Sequence, residues 1–199
     1  MIRIAIMMLS LLLLSACASH APDDTQPTAW LKPGVQITLP PPGITPAFQQ
    51  QQLLTGQVKG QSQSLLVLLS ADAQKIELAG LSSVGIRLFR VSYDASGIHT
   101  QQMMPLPHMP PASQVLADIM LSHWPLAVWQ KQLPPGWTLQ DTGLKRVLKD
   151  ADHRVITEID YLQRNGQREP ISIQQHAFGY RIHIQHLDAS LFISPRSAC

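Results

Sequence analysis

Apolar positions in this chain recur mostly with a period of two, and from Gln50 onward that is the pattern of β-strands. Leu65, Leu66, Val67, Leu68 and Leu69 are apolar at both parities, which predicts a strand covered on both faces. Ile76 and Leu78 alternate with Lys75 and Glu77, the signature of a half-exposed strand. In VGIRLFRVSY, Val84, Ile86 and Leu88 share one parity and Phe89, Val91 and Tyr93 the other. A β-bulge between Leu88 and Phe89 would keep all six inward while Arg87 and Arg90 point out. Asp94-Ala95-Ser96-Gly97 predicts a hairpin turn into IHTQQMM.

A proline-rich break, PLPHMPP, precedes the one stretch with helical period. Ser113 is placed to cap a helix carrying Val115, Leu116, Ile119, Met120 and His123 or Trp124 as an apolar stripe, and Pro125 kinks or restarts it before Leu126, Val128 and Trp129. Strands then return. Trp137 and Leu139 alternate, and Val155, Thr157, Ile159 and Tyr161 share one parity. Ile171 and Ile173 alternate after an Asn165-Gly166 turn, and Phe178, Tyr180, Ile182 and Ile184 form the clearest period-two run. Eight to ten antiparallel strands with one helical insertion predict a mostly β, α+β fold: a single curved sheet, solvated on one side and covered by helix on the other.

Residues 21–47 break the pattern. Prolines at 22, 27, 33, 40, 41, 42 and 46 exclude a regular helix or central strand there. The segment reads as a semi-extended tether whose second half, with Trp30, Leu31, Val35, Ile37 and Leu39, is apolar enough to dock as an edge strand.

The N-terminus sets the expected compartment. Met1-Ile2-Arg3 carries one positive charge, and an apolar run from Ile4 to Leu14 is too short for a transmembrane helix, which needs roughly 20 residues, but suits a signal peptide. Leu14-Ser15-Ala16-Cys17 resembles the bacterial lipobox, which implies cleavage before Cys17, acylation of that cysteine and a membrane anchor. Ala18 and Ser19, where an Asp would imply retention at the inner membrane, imply sorting to the outer membrane, facing the periplasm. The expected organisation is therefore a signal peptide over 1–16, a lipidated cysteine and tether over 17–47, and a folded domain over 48–199. Cys199 is then either a tolerated exposed thiol or a link between two chains.

Charge and chemistry narrow the function by exclusion. The chain has 15 Lys and Arg against 13 Asp and Glu, and no basic stripe points to nucleic acid. Of eight histidines, the best metal candidates are His183 and His186 with His176, yet positions three apart on a strand face opposite sides, and only Asp188 could complete a set. The chain has no G-x-S-x-G turn and no glycine-rich phosphate loop, so neither a cofactor nor an enzymatic activity is expected. Asp72, Asp94, Asp150 and Asp152 sit in turn-like contexts. Met103, Met104, Met109 and Met120 cluster around the helix with Trp124, Trp129 and Trp137, a soft apolar set that suits equally a cavity under a helical lid or a Met-containing core.

Lipobox, proline-rich tether, antiparallel strands and a central helical insertion together resemble the LolB and LolA proteins, which are unclosed β-barrels whose concave apolar face, lidded by helices, holds acyl chains. Three stretches, LLVLLSADAQKIELAGLSSVGIRLFRVSYD, VLADIMLSHWPLAVWQ and FGYRIHIQHLDA, resemble more closely a family of proteobacterial outer-membrane lipoproteins found with gene clusters for aryl polyene and fatty-acid-like products. That resemblance implies a lipid-like hydrophobic ligand, a LolA-type periplasmic carrier and an exporter as partners. Leu106 to Pro111 is the counterpart in position of the LolB membrane-inserting loop. The expected cavity lining is Leu65, Val67, Leu69, Ile86, Leu88, Val155, Ile159, Ile182 and Ile184, with Met120 and Trp124 from the lid. Two other readings stand beside a lipid acceptor: a scaffold lipoprotein whose interior is ordinary core, and a hydrolase with a polar cleft.

Overall fold

The computed structural model describes residues 26–104, 110–164 and 166–187. Two short strands, β1 (Thr28–Lys32) and β2 (Val35–Thr38), form a separate hairpin. A meander follows through β3 (Phe48–Val58), β4 (Gln61–Ala71), β5 (Ile76–Leu81), β6 (Arg87–Asp94) and β7 (Gly97–Gln102). Helices α1 (Ala112–His123) and α2 (Leu126–Gln130) come next, and then β8 (Thr138–Asp141), β9 (Lys145–Lys149), β10 (Val155–Arg164), β11 (Gln167–Gln175) and β12 (Tyr180–His186). The last strand returns to pair with β3, giving one ten-stranded sheet in the order β7-β6-β5-β4-β3-β12-β11-β10-β9-β8. Every neighbour is antiparallel, and the edge strands β7 and β8 do not meet. This is the mostly β, helix-lidded and unclosed curved sheet expected from the sequence.

Bulges explain where period-two reading loses phase. Gly80 pairs with Phe89 but Leu81 pairs with Arg87, so Leu88 is the extra residue, next to the predicted position. The bulge does not bring the earlier apolar residues inward. Ser82 holds the preceding turn, accepting the Ile86 N–H on its Oγ at 3.1 Å and the Gly85 N–H on its carbonyl at 2.9 Å. Val84 and Ile86 are left outside the sheet, 77% and 60% exposed. Ile156 and Ile171 are extra residues in the same sense, the first between the pairs Val155–Lys149 and Thr157–Leu148, the second between Asp160–Ser172 and Tyr161–Pro170. The β6–β7 turn falls on Ala95-Ser96 as predicted.

Three other expectations change. Leu68 is 39% exposed on the convex face, so β4 is covered on one face only. Helix α1 starts from Pro111, whose carbonyl accepts the N–H groups of Gln114 and Val115, and Ser113 lies within its first turn instead of capping it. The segment read as tether is largely part of the fold. Ala29, Leu31, Ile37 and Leu39 are buried in the core, and Lys32 Nζ lies 2.8 Å from Asp150 Oδ2, so the folded unit begins near Thr28, not at residue 48, and the hairpin forms its own small sheet instead of an edge strand.

The helices fill one end of the concave space. Leu116, Met120, Trp124 and Trp129 pack with Leu148 and Ile159 at essentially zero exposure. Their polar atoms are satisfied: the Trp129 indole donates to the Met120 carbonyl (3.1 Å), the Trp124 indole to Pro41 O (3.0 Å), and the Tyr161 hydroxyl to Ser122 O (2.9 Å). Buried Arg146 donates to the Leu121 and Trp124 carbonyls at the C-terminus of α1 and pairs with Asp141, satisfying groups a helix end otherwise leaves open.

Candidate functional site

The other end of the concave space is not filled. Between the sheet and α1 lies a cavity of about 760 Å³, within the roughly 300–1,000 Å³ range of ligand sites. Its floor is the inward parity of β3, β4 and β12, set in register: Ile184 beside Leu54 and Leu65, Ile182 beside Gly56 and Gln63, Tyr180 beside Val58 and Gln61. Leu69, Leu78, Phe89 and Ile173 extend the apolar wall. Helix α1 roofs it through Val115, Asp118, Ile119, Ser122 and His123, while Leu116, Met120 and Leu121, on its other side, go to the core.

The cavity has a direction. Gln61 to Ser64 are exposed, Leu65 is half-buried, and Val67 and Leu69 are buried, so accessibility falls from the β3–β4 turn inward. At the far end the chain between β2 and β3 crosses the strand ends: Tyr93 donates to Pro40 O (3.0 Å), and Ile44 N–H to Asp72 O (2.8 Å). His123 stacks on Phe48 there, with ring centroids 4.7 Å apart. The site is a pocket open beside the β3–β4 turn and closed opposite.

Two glycines face this wall and do opposite things. At Gly80 the ring of Phe89 lies where a side chain would begin, so the cross-strand aromatic needs a glycine beneath it. A Cβ at Gly56 would meet only the Gln63 carbonyl at 4.0 Å, so the absence of a side chain there widens the cavity.

Polar groups are few and concentrated. The Tyr180 hydroxyl donates to Asp118 Oδ2 at 2.5 Å, and the Gln114 side chain bonds to both. Burial pushes the Asp118 carboxyl up to about 7, against the opposing effect of those two hydrogen bonds. The Tyr180 phenol is raised by burial and by the neighbouring carboxyl. Burial, with His186 and Arg146 nearby, pulls the His123 imidazole down to about 3, so it is neutral. Gln52 is buried and donates to Gln50 Oε1 at 2.7 Å.

Of the residues named from sequence, the structure brings Leu65, Val67, Leu69, Ile182 and Ile184 together on the cavity wall. The others lie elsewhere. Met120, Trp124 and Ile159 are in the filled core, because the apolar stripe of α1 and the inward face of β10 meet other side chains there. Ile86 is exposed in the β5–β6 turn, Leu88 is the bulge residue, half-buried against the core, and Val155 pairs with Lys149 before the Ile156 bulge. The histidines diverge: His183 is exposed, His186 Nε2 lies 2.8 Å from Pro170 O, and His176 Nε2 lies 2.8 Å from Glu158. Cys17, Cys199, Asn165, Asp188 and residues 105–109, which include most of the LolB-loop counterpart, lie outside the described residues.

Sequence reasoning missed Asp118, Gln114, Gln52 and Gly56. Their signal was a polar residue or a glycine interrupting an apolar face: Asp118 follows Val115 by three in the helix stripe, and Gln52 and Gly56 share parity with Leu54.

Fold and site together define an open half-barrel with a helix-roofed apolar pocket. The chain belongs to the family described as Protein of unknown function (DUF3261), whose model matches residues 49–188. A solved structure of a DUF1329 family protein from Desulfovibrio piger is similar at 8% identity and a TM-score of 0.33, covering 71% of this chain and 84% of that one. No curated protein matches.

Proposed function

We propose that this protein is an outer-membrane lipoprotein, anchored through acylated Cys17 with its domain in the periplasm, that accepts an acyl-chain or lipid-like cargo. The cavity carries this reading. A sealed void of 760 Å³ would cost roughly 18 kcal/mol at about 24 cal/mol per Å³, more than the ~5–15 kcal/mol net stability of a typical domain. The space is therefore reached by solvent or filled by a ligand, and its apolar walls favour a hydrocarbon over water. Each Å² of apolar surface removed from water contributes about 25 cal/mol, so a chain binds without catalytic groups.

In this reading a tail enters beside the β3–β4 turn, handed over by a LolA-type periplasmic carrier, and an aryl polyene lipid is the candidate cargo in a cluster that also encodes an exporter. No described helix is long and apolar enough to cross a membrane, and the lipid on Cys17 supplies the anchor.

Native mass spectrometry tests the cargo. Residues 18–199, which contain every described element, are exported through a cleavable leader and weighed before and after denaturation. A released acyl or polyene species, absent from an Ile182→Glu variant of unchanged circular dichroism, is the expected result. An empty protein that also takes up no fluorescent fatty acid turns the assignment to a scaffold. Labelled palmitate incorporated into the full chain and lost in Cys17→Ser checks the anchor.

A further inference from the structure

The pocket is apolar along most of its length, so the polar atoms in it carry information about the end of the ligand. Asp118 is the most demanding of them. It is 5% exposed, its carboxyl bonds to Tyr180 and Gln114, and among the described hydrogen bonds and ion pairs no Lys, Arg or His is its partner. Tyr180 marks its depth: that residue pairs with Val58, which in turn sits opposite Gln61, the last inward level before the β3–β4 turn. At that level the lining is polar through Gln61, and below it, past Gln63 opposite Gly56, the wall is Ile182, Ile184, Leu54 and Leu65. A chain inserted tail-first ends with its head at Asp118.

We propose that the Asp118–Tyr180 pair is the head-group site of this pocket, and that it selects long chains ending in a free carboxylic acid, one proton being shared between the ligand's carboxyl group and that of Asp118. The assignment rests on the pocket holding such a chain, as proposed above. Its chemistry follows from what faces Asp118. From α1 come Gln114 and, a turn deeper, neutral His123. From β12 comes Tyr180; Arg181, of the opposite parity, has its Nε bonded to Gln174 Oε1, and His186 is directed at Pro170 O. From β3 and β4 come only uncharged Gln57, Gln61, Ser62 and Gln63.

A carboxyl so placed keeps its proton well above the ordinary carboxylate range, up to about pH 7, and a protonated carboxyl donates to a carboxylate. Two carboxyl groups in contact cannot both ionise, and they retain one proton between them. Arg181 alternates with the inward Tyr180 and Ile182 and is engaged with Gln174, so its charge is not directed at Asp118. An alcohol of the same length gains the same apolar burial but has no proton to share.

The test compares palmitic acid with hexadecanol as competitors of pyrene bound to residues 18–199, from about pH 6 to about pH 8.5. Affinity for the acid is expected to fall at least about tenfold across that range as Asp118 ionises, and that for the alcohol by less than about twofold. Asp118→Asn should flatten the acid profile. Tyr180→Phe, which removes the donor that favours the ionised form, should move its midpoint to higher pH. If neither ligand displaces pyrene at any pH, the pocket reading falls and this assignment with it. Uptake of the alcohol beside a pH-flat uptake of the acid, or an acid profile unchanged in Asp118→Asn, overturns the head-group assignment alone. So does hexadecylamine binding more tightly than the acid as pH rises.

Discussion

The two ends of the concave space are built from the same parts and end in opposite states. Toward β8–β10 the sheet and α1 enclose Trp124, Trp129, Leu148 and Ile159 with no exposure to speak of; toward β3, β4 and β12 they enclose about 760 Å³ lined by Leu54, Leu65, Ile182 and Ile119. One helix serves both, presenting Leu116 and Met120 to the filled end and Val115 and Ile119 to the open one. The difference is one of side-chain size and of what crosses the strand ends. Two tryptophans and the β1–β2 hairpin occupy one end, whereas Gly56 and the glutamines near the turn leave the other unoccupied. The packed core and the empty space are therefore lined by different residues, which can be changed separately.

The largest effect is expected in the filled end. Trp129→Ala removes a fully buried indole and its bond to Met120 O, and should cost about 3–5 kcal/mol in urea unfolding. If the two ends are independent, the folded fraction should still bind a chain.

Next in size is a gain. The Asp118 carboxyl sits at about 7 in the folded chain against an ordinary 3.8, so folding takes up a proton between those values. This group leaves stability untouched below about pH 4, subtracts progressively as pH rises to about 7, and subtracts a constant amount above. Asp118→Asn should accordingly be more stable than the parent at pH 8, by up to about 4 kcal/mol, and the two should converge at pH 4. Denaturation midpoints at the two pH values check it, and an equal offset at both would place the effect elsewhere than in the proton.

Gly56→Phe separates the ends most sharply. Its backbone is ordinary strand, its Cβ has room, and replacing a strand glycine by an aromatic contributes up to about 1 kcal/mol. The ring would project among Ile182, Gln63 and Ile119, so thermal stability should hold or rise while pyrene uptake falls at least tenfold. A variant that keeps both would mean that chains lie elsewhere.

How far the sequence discloses this molecule depends on bulges. Ile182 and Ile184 lie on β12, whose pairing with β3 runs without a register break, and parity alone put them on the inner face. Ile86 and Val155 each lie before a bulge, at Leu88 and Ile156, where parity ceases to carry over. Helical period likewise identified the apolar stripe of α1 but not which of its residues meet side chains and which meet empty space, because that depends on Gly56 and on a hairpin distant in sequence. Asp118 was unread for a related reason: one carboxylate in an apolar stripe is ambiguous until Tyr180, 62 positions away, is seen bonded to it.

Ile86→Ser gives the smallest expected effect and isolates that lesson. If Ile86 lined the cavity, a serine there would lose the transfer free energy of a buried isoleucine, about 1.5–3 kcal/mol, and would lower chain affinity. Instead its side chain is 60% exposed beside Val84 in a turn held by Ser82 through backbone groups that the substitution leaves intact. Stability should therefore change by no more than about 0.5 kcal/mol, with pyrene uptake unaltered. Read beside Gly56→Phe, the pair tests position directly: the apolar residue that parity places inside is dispensable, and the glycine with no side chain at all determines what the pocket can hold.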